Sequence, residues 1–355
     1  MTKNRPIVIG GVDTHGYTHH AAVIDTSGRI LGSEEFEATS DGYRKLLAWI
    51  RRFGDLDRIG VEGTGTYGAG LCRHLLDQGV QVVEVDRPNR RMRRQHGKSD
   101  SIDAEAAARS VLNGTATAEP KHRDGVVESI RVLRVAKSGA VKARTAATNA
   151  LKAMLVTAPD ELRSTMAQMS TAEMVDTCSK FRPSADRLSE PTQGVKLGMR
   201  SLARRVIQLT EEIKELDAAM RPLVRHAAPR TTQLLAIGID HAAQLLITTG
   251  DNPARMRSEA SFARLCGVAP IPASSGQTQR HRLHRGGDRS ANRALHLAVI
   301  VRLRHCEETR AYVERRTKEG LSKREIIRCL KRYVAREVFH TISADLRSLH
   351  GLDGI

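Results

Sequence analysis

The chain has 355 residues, with 57 Lys and Arg against 40 Asp and Glu and a formal net charge of +17. Its length suits two or three domains, and 40% apolar residues with a mean hydropathy of -0.37 exclude a disordered chain. No stretch approaches the roughly 18 apolar residues of a membrane span. No signal peptide is expected, because the start MTKNRPIVIGGVDTH runs directly into a strand-like segment. Five scattered cysteines without a CxxC pair argue against a zinc ribbon or disulfide scaffold and fit a reducing cytoplasm. The charge surplus points to a polyanionic partner, with nucleic acid the default. Only 3% of residues are aromatic, which favours gripping backbones over stacking on bases.

In chain order, residues 7–38 alternate apolar runs with turn signals, and IVIGGVD, AAVID and TSGRILGSEEF read as three strands, with Asp25-Thr26-Ser27-Gly28 as a hairpin turn. Residues 41–53 carry Leu46, Leu47 and Ile50 at helical spacing. RIGVEG (58–63) is a buried strand, 67–78 a helix and QVVEVD (81–86) another buried strand. Residues 99–112 form an Ala-rich helix with Ser99 as its N-cap. The order β-β-β-α-β-α-β-α is that of an RNase H-like domain, a mixed sheet flanked by helices.

Residues 126–156 and 196–223 are expected to be helical. Leu202, Val206, Leu209, Ile213, Leu216 and Met220 step by four and three as a coiled-coil seam, which packs either on its own domain or on a second copy. Residues 157–195, with Pro159, Pro183 and Pro191, read as mixed helix and loop. TTQLLAIGIDHAAQLLITTG (231–250) reads as helix, turn at Gly238 and helix, a helix-hairpin-helix-like segment that presents N–H groups to phosphate. Residues 258–267 are helix, 270–290 a polar, basic loop, and 291–348 helix, with twelve Lys and Arg against six Glu between 301 and 337. The fold class is α/β plus α: an N-terminal domain at 1–120, a helical linker with a coiled coil at 121–228, and a mostly helical C-terminal domain at 229–355.

Four carboxylates carry the chemistry. Asp13 ends the first strand and Glu62 the fourth, while Asp100 and Asp103 share one helical face at spacing i, i+3. In an RNase H-like fold these four meet at one point. Such a cluster needs cations between its oxygens. Two Mg²⁺ ions roughly 3.5–4 Å apart would also stabilise the attacking and leaving oxygens of a phosphodiester displacement. His15, His19 and His20 are expected to be surface histidines rather than ligands, because strand alternation sends neighbours to opposite faces. GTGTYG (63–68) lacks the Lys of a P-loop and reads as a tight strand-to-helix turn.

Ser274-Ser275-Gly276 opens a segment carrying Arg280, Arg282, Arg285, Arg289 and Arg293. A serine beside a glycine is open to close approach, and the arginines make a phosphate-binding rim. By residue type alone this is either a nucleophile loop or a Ser-Gly turn in a basic DNA-binding loop.

These residues resemble a known family. GVDTH, VEGTGTYG and KSDSIDAEAAAR look like the RuvC-like DEDD domain of bacterial insertion-sequence transposases. FARLCGVAP, then SSG, a basic stretch and GGDRSANRALHLA, look like that family's C-terminal transposase domain. The family is that of bridge-RNA-guided serine recombinases related to pilin-gene invertases, and the resemblance covers roughly residues 7–115 and 195–310. It implies Asp13, Glu62, Asp100 and Asp103 as ligands of Mg²⁺ or Mn²⁺. It implies Ser275 as nucleophile, with Ser274 beside it, and DNA cut and rejoined through a 5′-phosphoserine link. It also implies dimers that pair into tetramers, and a non-coding bridge RNA that pairs with donor and target DNA. Arg87, Arg90, Arg91, Arg93, Arg94 and Lys98, a run with no acid among residues 87–99, are candidates for nucleic-acid backbone contact. The family's hairpin carries Gly-Ile-Gly-Pro where this chain has Gly238-Ile239-Asp240-His241, which weakens phosphate contact there.

Three other readings compete. A RuvC-like nuclease or junction resolvase needs the acids but no serine. A sugar-kinase-type ATPase needs a second Asp-Gly phosphate loop and an adenosine motif, which the sequence lacks. An architectural DNA binder needs neither acids nor serine. A cytoplasmic protein without membrane partners is expected throughout.

Overall fold

The computed structural model describes residues 5–85, 99–276 and 280–352. Two compact units emerge, one running to Gly125 with Thr249–Arg257 added, the other holding Val126–Thr248 and the chain from Ser258.

The first unit is built on a mixed five-stranded sheet. Strands β1 (Ile7–Thr14), β2 (Thr18–Asp25) and β3 (Ile30–Glu37) form an antiparallel meander. The β2–β3 turn forms as expected, with Asp25 Oδ1 accepting from the Ser27 and Arg29 N–H groups. Helix α1 (Ser40–Phe53), capped by the Thr39 hydroxyl, leads to β4 (Asp55–Glu62). Helix α2 (Ala69–Asp77) then leads to β5 (Gln81–Val85). The spatial order is β3-β2-β1-β4-β5, with β4 parallel to both β1 and β5. Helix α3 (Asp100–Leu112) follows, and Ser99 Oγ accepts from the Ile102 N–H as its cap.

Strand alternation divides the core between two faces. Val8, Val12, Ile59 and Val61 pack with Leu46, Ile50, Leu71 and Leu75 of α1 and α2. Ile9, Ile24, Val83 and Val85 pack with Ala107, Ala108 and Val111 of α3. Edge strand β3 leaves Glu34, Glu35 and Glu37 exposed, a charge pattern that discourages edge-to-edge pairing. The returning segment Thr249–Arg257 is latched to this unit. Asp251 accepts from the backbone N–H groups of Arg123 and Gly125, and the Asn252 amide donates to Glu119 Oε1 and the Pro120 carbonyl, each at 3.1 Å.

In the second unit, α4 (Val126–Val156) and α7 (Pro191–Ala227) run antiparallel. Met154 lies over Gly198, and the Lys137 ammonium meets Asp217. Between them α5 (Asp160–Met166) and α6 (Thr171–Ser179) close a cluster of Leu151, Leu162, Met166, Met174, Cys178 and Met199. Of the seam residues, Val206, Ile213 and Met220 are buried and Leu202, Leu209 and Leu216 half-buried within the single chain.

The helix-hairpin-helix-like expectation is corrected. Its first arm is a single 3-10 turn, Thr231–Gln233, and only α8 (Ile239–Thr249) is an α-helix. Asp345 accounts for this: its carboxylate accepts from the Arg230 and Thr231 N–H groups at 3.0 and 2.9 Å, pinning that turn.

After α9 (Glu259–Leu265), the expected basic loop contains a small antiparallel hairpin, β6 (Pro270–Pro272) with β7 (His281–Leu283). The helical stretch expected at 291–348 consists of three helices: α10 (Arg289–His305), α11 (Glu307–Lys318) and α12 (Lys323–Leu349). Among the described residues no helix is long and apolar enough to cross a membrane. All five cysteines are free thiols, and burial pushes Cys72 up to about 12.

Candidate active site

The acidic residues gather where β1 and β4 end side by side. Val12 pairs with Val61 in parallel register, so the next residues along, Asp13 and Glu62, end adjacent strands. The Thr14 hydroxyl donates to the Glu62 carbonyl at 2.9 Å and ties these ends together. Helix α3 starts against the same edge and brings Asp100 and Asp103 in its first turn.

Asp13 and Asp103 are buried, Glu62 and Asp100 half-buried. Carboxylates out of water and near one another resist ionising together. Burial raises the Asp13 carboxyl above its ordinary value of 3.8; His15 opposes this, and Asp103 and Asp100 add to it.

His15 lies just past the end of β1, where strand alternation no longer decides its direction. Its Nε2 is 3.1 Å from Asp13 Oδ2 and 3.3 Å from Asp100 Oδ1. Donor atoms of Asp13, His15 and Asp100 all lie within 4.8 Å of one another. Glu62 and Asp103 stand outside that trio of atoms. His15 therefore stands against two of the acids, a placement that the alternation argument set aside; its signal was its position two residues after Asp13. The surface expectation fails for His19, which is fully buried on β2 and stacks on Tyr43 at 5.6 Å. Burial holds its imidazole below the ordinary value, and no partner for its Nε2 lies among the described residues. His20 is half-buried and hydrogen-bonds Ser33 Oγ.

A divalent cation fits this donor set. Two acids and an imidazole converge there, and Asp13 is held in a state that a cation would relieve. Hard carboxylate oxygens suit Mg²⁺ or Mn²⁺, and an imidazole tilts the set toward Mn²⁺.

The serines occupy the tip of the β6–β7 hairpin. Ser274, Ser275 and Gly276 are all exposed. The Ser274 hydroxyl accepts from the Arg280 N–H at 3.4 Å, and the Ala273 N–H donates to the Arg280 carbonyl at 2.8 Å, so the two strands stay paired up to the loop. Arg280, Arg282, Arg285, Arg289 and Arg293 are exposed, just before β7, on it, in the turn after it and in the first turns of α10. Arg87, Arg90, Arg91, Arg93, Arg94 and Lys98 lie outside the described residues.

Two residues of the GGDRSANRALHLA segment hold this region in place, and sequence reasoning gave them no role. Asp288 caps α10 by accepting from the Ser290 and Ala291 N–H groups, and it accepts from Thr248 Oγ1 at 2.6 Å. Asn292 donates to the Gly267 carbonyl at 2.7 Å and accepts from Lys331 Nζ at 2.9 Å. Gly287 approaches so closely that a Cβ there would stand 2.2 Å from the Gly267 nitrogen.

Comparison with known proteins gives two regional matches. Residues 10–158 match the family model of IS110 DEDD-type proteins, described as a transposase. Residues 229–314 match that of the transposase IS116/IS110/IS902 family. The chain is 29% identical over 134 residues to an uncharacterized 42 kDa protein of insertion element IS900 from Mycobacterium paratuberculosis, covering 37% of this chain and 34% of that one. It is 32% identical over 124 residues to an uncharacterized 43.6 kDa protein of insertion element IS110 from Streptomyces coelicolor, covering 34% and 30%. The matched stretches span about a third of these relatives' own length.

Proposed function

We propose that this chain, an IS110-family transposase by both of its matched regions, cuts and rejoins DNA through a phosphoserine link formed by Ser275. The observation that carries the DNA chemistry is the convergence of Asp13, His15 and Asp100, with Asp103 close enough to disturb the Asp13 charge. The β3-β2-β1-β4-β5 order supports an RNase H-like, RuvC-like reading of the first unit, a frame in which strand-end acids serve phosphodiester chemistry.

A bound divalent cation would supply charge stabilisation for a pentavalent phosphate; Asp13, Glu62, Asp100 and Asp103 would hold it, with His15 beside them. The serine step needs no further reactant. Ser275 Oγ attacks phosphorus and forms a P–O bond, and the bond from phosphorus to the 3′ oxygen breaks. The serine proton ends on that oxygen, leaving a 3′ hydroxyl and a 5′-phosphate joined to the serine. Attack by a new 3′ hydroxyl reverses the step, joins the strands and frees the serine. The exposed hairpin tip supports this role, because its hydroxyl is open to a bulky duplex. The five arginines that follow fit phosphate contact in either grooves or strands.

The remaining parts of the reading are further proposals. A bridge RNA would select donor and target DNA by pairing, which suits a basic, aromatic-poor chain that grips backbones. Homodimers would pair into tetramers, and the division 1–120, 121–228 and 229–355 would separate acid, linker and serine functions.

The test is capture of a covalent protein–DNA adduct mapped to residue 275. Ser275→Ala should lose both adduct and joining, while Ser274→Ala keeps them. Undiminished cleavage by Ser275→Ala would favour the other reading of the acids, a metal-dependent hydrolytic nuclease or junction resolvase.

A further inference from the structure

We propose that a cleft behind the serine hairpin receives one nucleotide of the DNA strand, turned out of its stack, with its phosphate on basic side chains and its base against Leu283 and Tyr333. The inference rests on the DNA-processing reading above and adds a binding site to it.

The cleft has a volume of about 560 Å³, within the range of small-molecule sites. It lies between β7, the end of α11 and the first three turns of α12. Arg280, Arg282, Arg328 and Lys331 line it and form no ion pair with a carboxylate among the described residues. Arg316 and Arg332 also line it. Each is paired on one side, with Glu319 and Glu259, while Arg316 Nε and Arg332 Nη1 are buried without a partner among the described residues. Glu325 is the one carboxylate in the lining. It is committed to Ser322 at the start of α12, accepting from the backbone N–H at 3.0 Å and the hydroxyl at 2.6 Å. Six cations against one engaged acid make an anion site, and guanidinium groups suit phosphate.

Apart from His281, the rest of the wall is mostly apolar, and this separates a nucleotide from a bare phosphate. Leu283 and Tyr333 are 46% and 45% exposed, although both line a concave surface. Tyr333 is held edge-on to Tyr312 at 5.5 Å, so its ring is fixed in place. In a chain with 3% aromatics, a fixed, exposed ring beside arginines is the feature expected of a base-stacking contact. Paying the unstacking energy of one nucleotide is common where chemistry is done nearby.

The cleft is wired to the serine loop. Arg328 Nη1 donates to the His281 carbonyl at 3.1 Å, and the Arg280 N–H donates to Ser274 Oγ. A phosphate drawn onto Arg280 and Arg328 would thus act on both the strand and the loop carrying Ser275.

Titration calorimetry on the full-length protein tests this with dAMP, deoxyadenosine and inorganic phosphate. The expected result is dAMP binding about tenfold or more tighter than either half alone. Arg282→Gln should weaken dAMP by about tenfold, as for loss of one charge-assisted contact. Tyr333→Ala should weaken dAMP by about fivefold or more with phosphate unaffected. Tyr333→Phe should bind as wild type, which separates lost stacking from misfolding. A deoxy-oligonucleotide should displace dAMP; displacement by neither it nor its ribose counterpart, or by the ribose form alone, overturns the DNA assignment. Equal binding of phosphate and dAMP overturns the base contact. Absence of dAMP binding in a protein that still cuts and joins DNA overturns the inference and leaves the functional reading intact. Binding of dAMP that obeys these variants in a protein unable to cut DNA leaves the cleft standing and removes the functional reading.

Discussion

Gly11 of β1 and Ala108 of α3 meet backbone to backbone: a Cβ on Gly11 would stand 2.3 Å from the Ala108 nitrogen and 2.2 Å from the Ala104 carbonyl oxygen. No side chain separates the helix from the strand there. This contact sets how deeply α3 sits on the sheet, and hence how near Asp100 and Asp103 come to Asp13.

Gly11→Ala should therefore act at a distance on the acidic cluster. Overpacking of this kind costs about 1–3 kcal/mol, and the relief available is a lift of α3. The expected outcome is a lower urea midpoint and a weaker Mn²⁺-induced rise in melting temperature. Gly16→Ala is the control, because its new methyl group meets nothing nearer than the Tyr67 ring at 3.5 Å. Equal stability of the two variants would refute the wedge.

Asp13→Asn should abolish DNA cleavage yet stabilise the metal-free protein at pH 7 by on the order of 1 kcal/mol, the exchange of stability for activity seen at strained sites. The sign follows from the raised carboxyl. Native Asp13 holds its proton more tightly than unfolded Asp13, so between 3.8 and the higher native value the folded state binds more protons. Stability then falls as pH rises through that window. The advantage of the Asp13→Asn variant should shrink on acidification and vanish below the unfolded value. Thermal unfolding from pH 3.5 to 7 in a chelator measures it; a gap that widens on acidification contradicts the assignment.

His15 makes a separate prediction about metal choice. An imidazole among carboxylates favours Mn²⁺ over Mg²⁺ more than an all-oxygen set does. His15→Ala should lower Mn²⁺ affinity by about 10–100-fold, the range found for partners around a metal site, and affect Mg²⁺ less. Calorimetric titration of both ions separates the cases, and equal losses would reduce His15 to a charge neighbour.

Much of the first unit is legible in the residues because its signals are local. Buried strands such as IVIGGVD and QVVEV, the Ser99 cap and the Asp25 turn each act within a few positions. What is not legible depends on partners far along the chain. Asp345 decides that Thr231–Gln233 is a 3-10 turn and not a helical arm, across 114 residues from Thr231. The return of Thr249–Arg257 to the first unit rests on Asp251 and Asn252, whose partners lie near Glu119 and Arg123. His15 escaped because the alternation rule was extended one residue past the end of β1, which stops at Thr14. The hairpin that carries the serines was hidden by two strands of only three residues, too short for a period-two pattern.

Asp345→Ala should be among the most damaging substitutions in the second unit. The carboxylate is 1% exposed and accepts from three donors: the Arg230 and Thr231 N–H groups, and the Thr231 hydroxyl at 2.8 Å. Removing it takes the acceptor from the two backbone N–H groups, while the Thr231 hydroxyl keeps Thr341 Oγ1 at 3.1 Å, at a cost of roughly 3 kcal/mol. Asp345→Asn keeps an acceptor and should recover part of the loss. Thr231→Val removes one donor, and because the two residues share a bond their effects should fall short of additive by about 1 kcal/mol. Chemical denaturation of the single and double variants measures the coupling, and strict additivity would mean that Asp345 holds the turn through its backbone contacts alone.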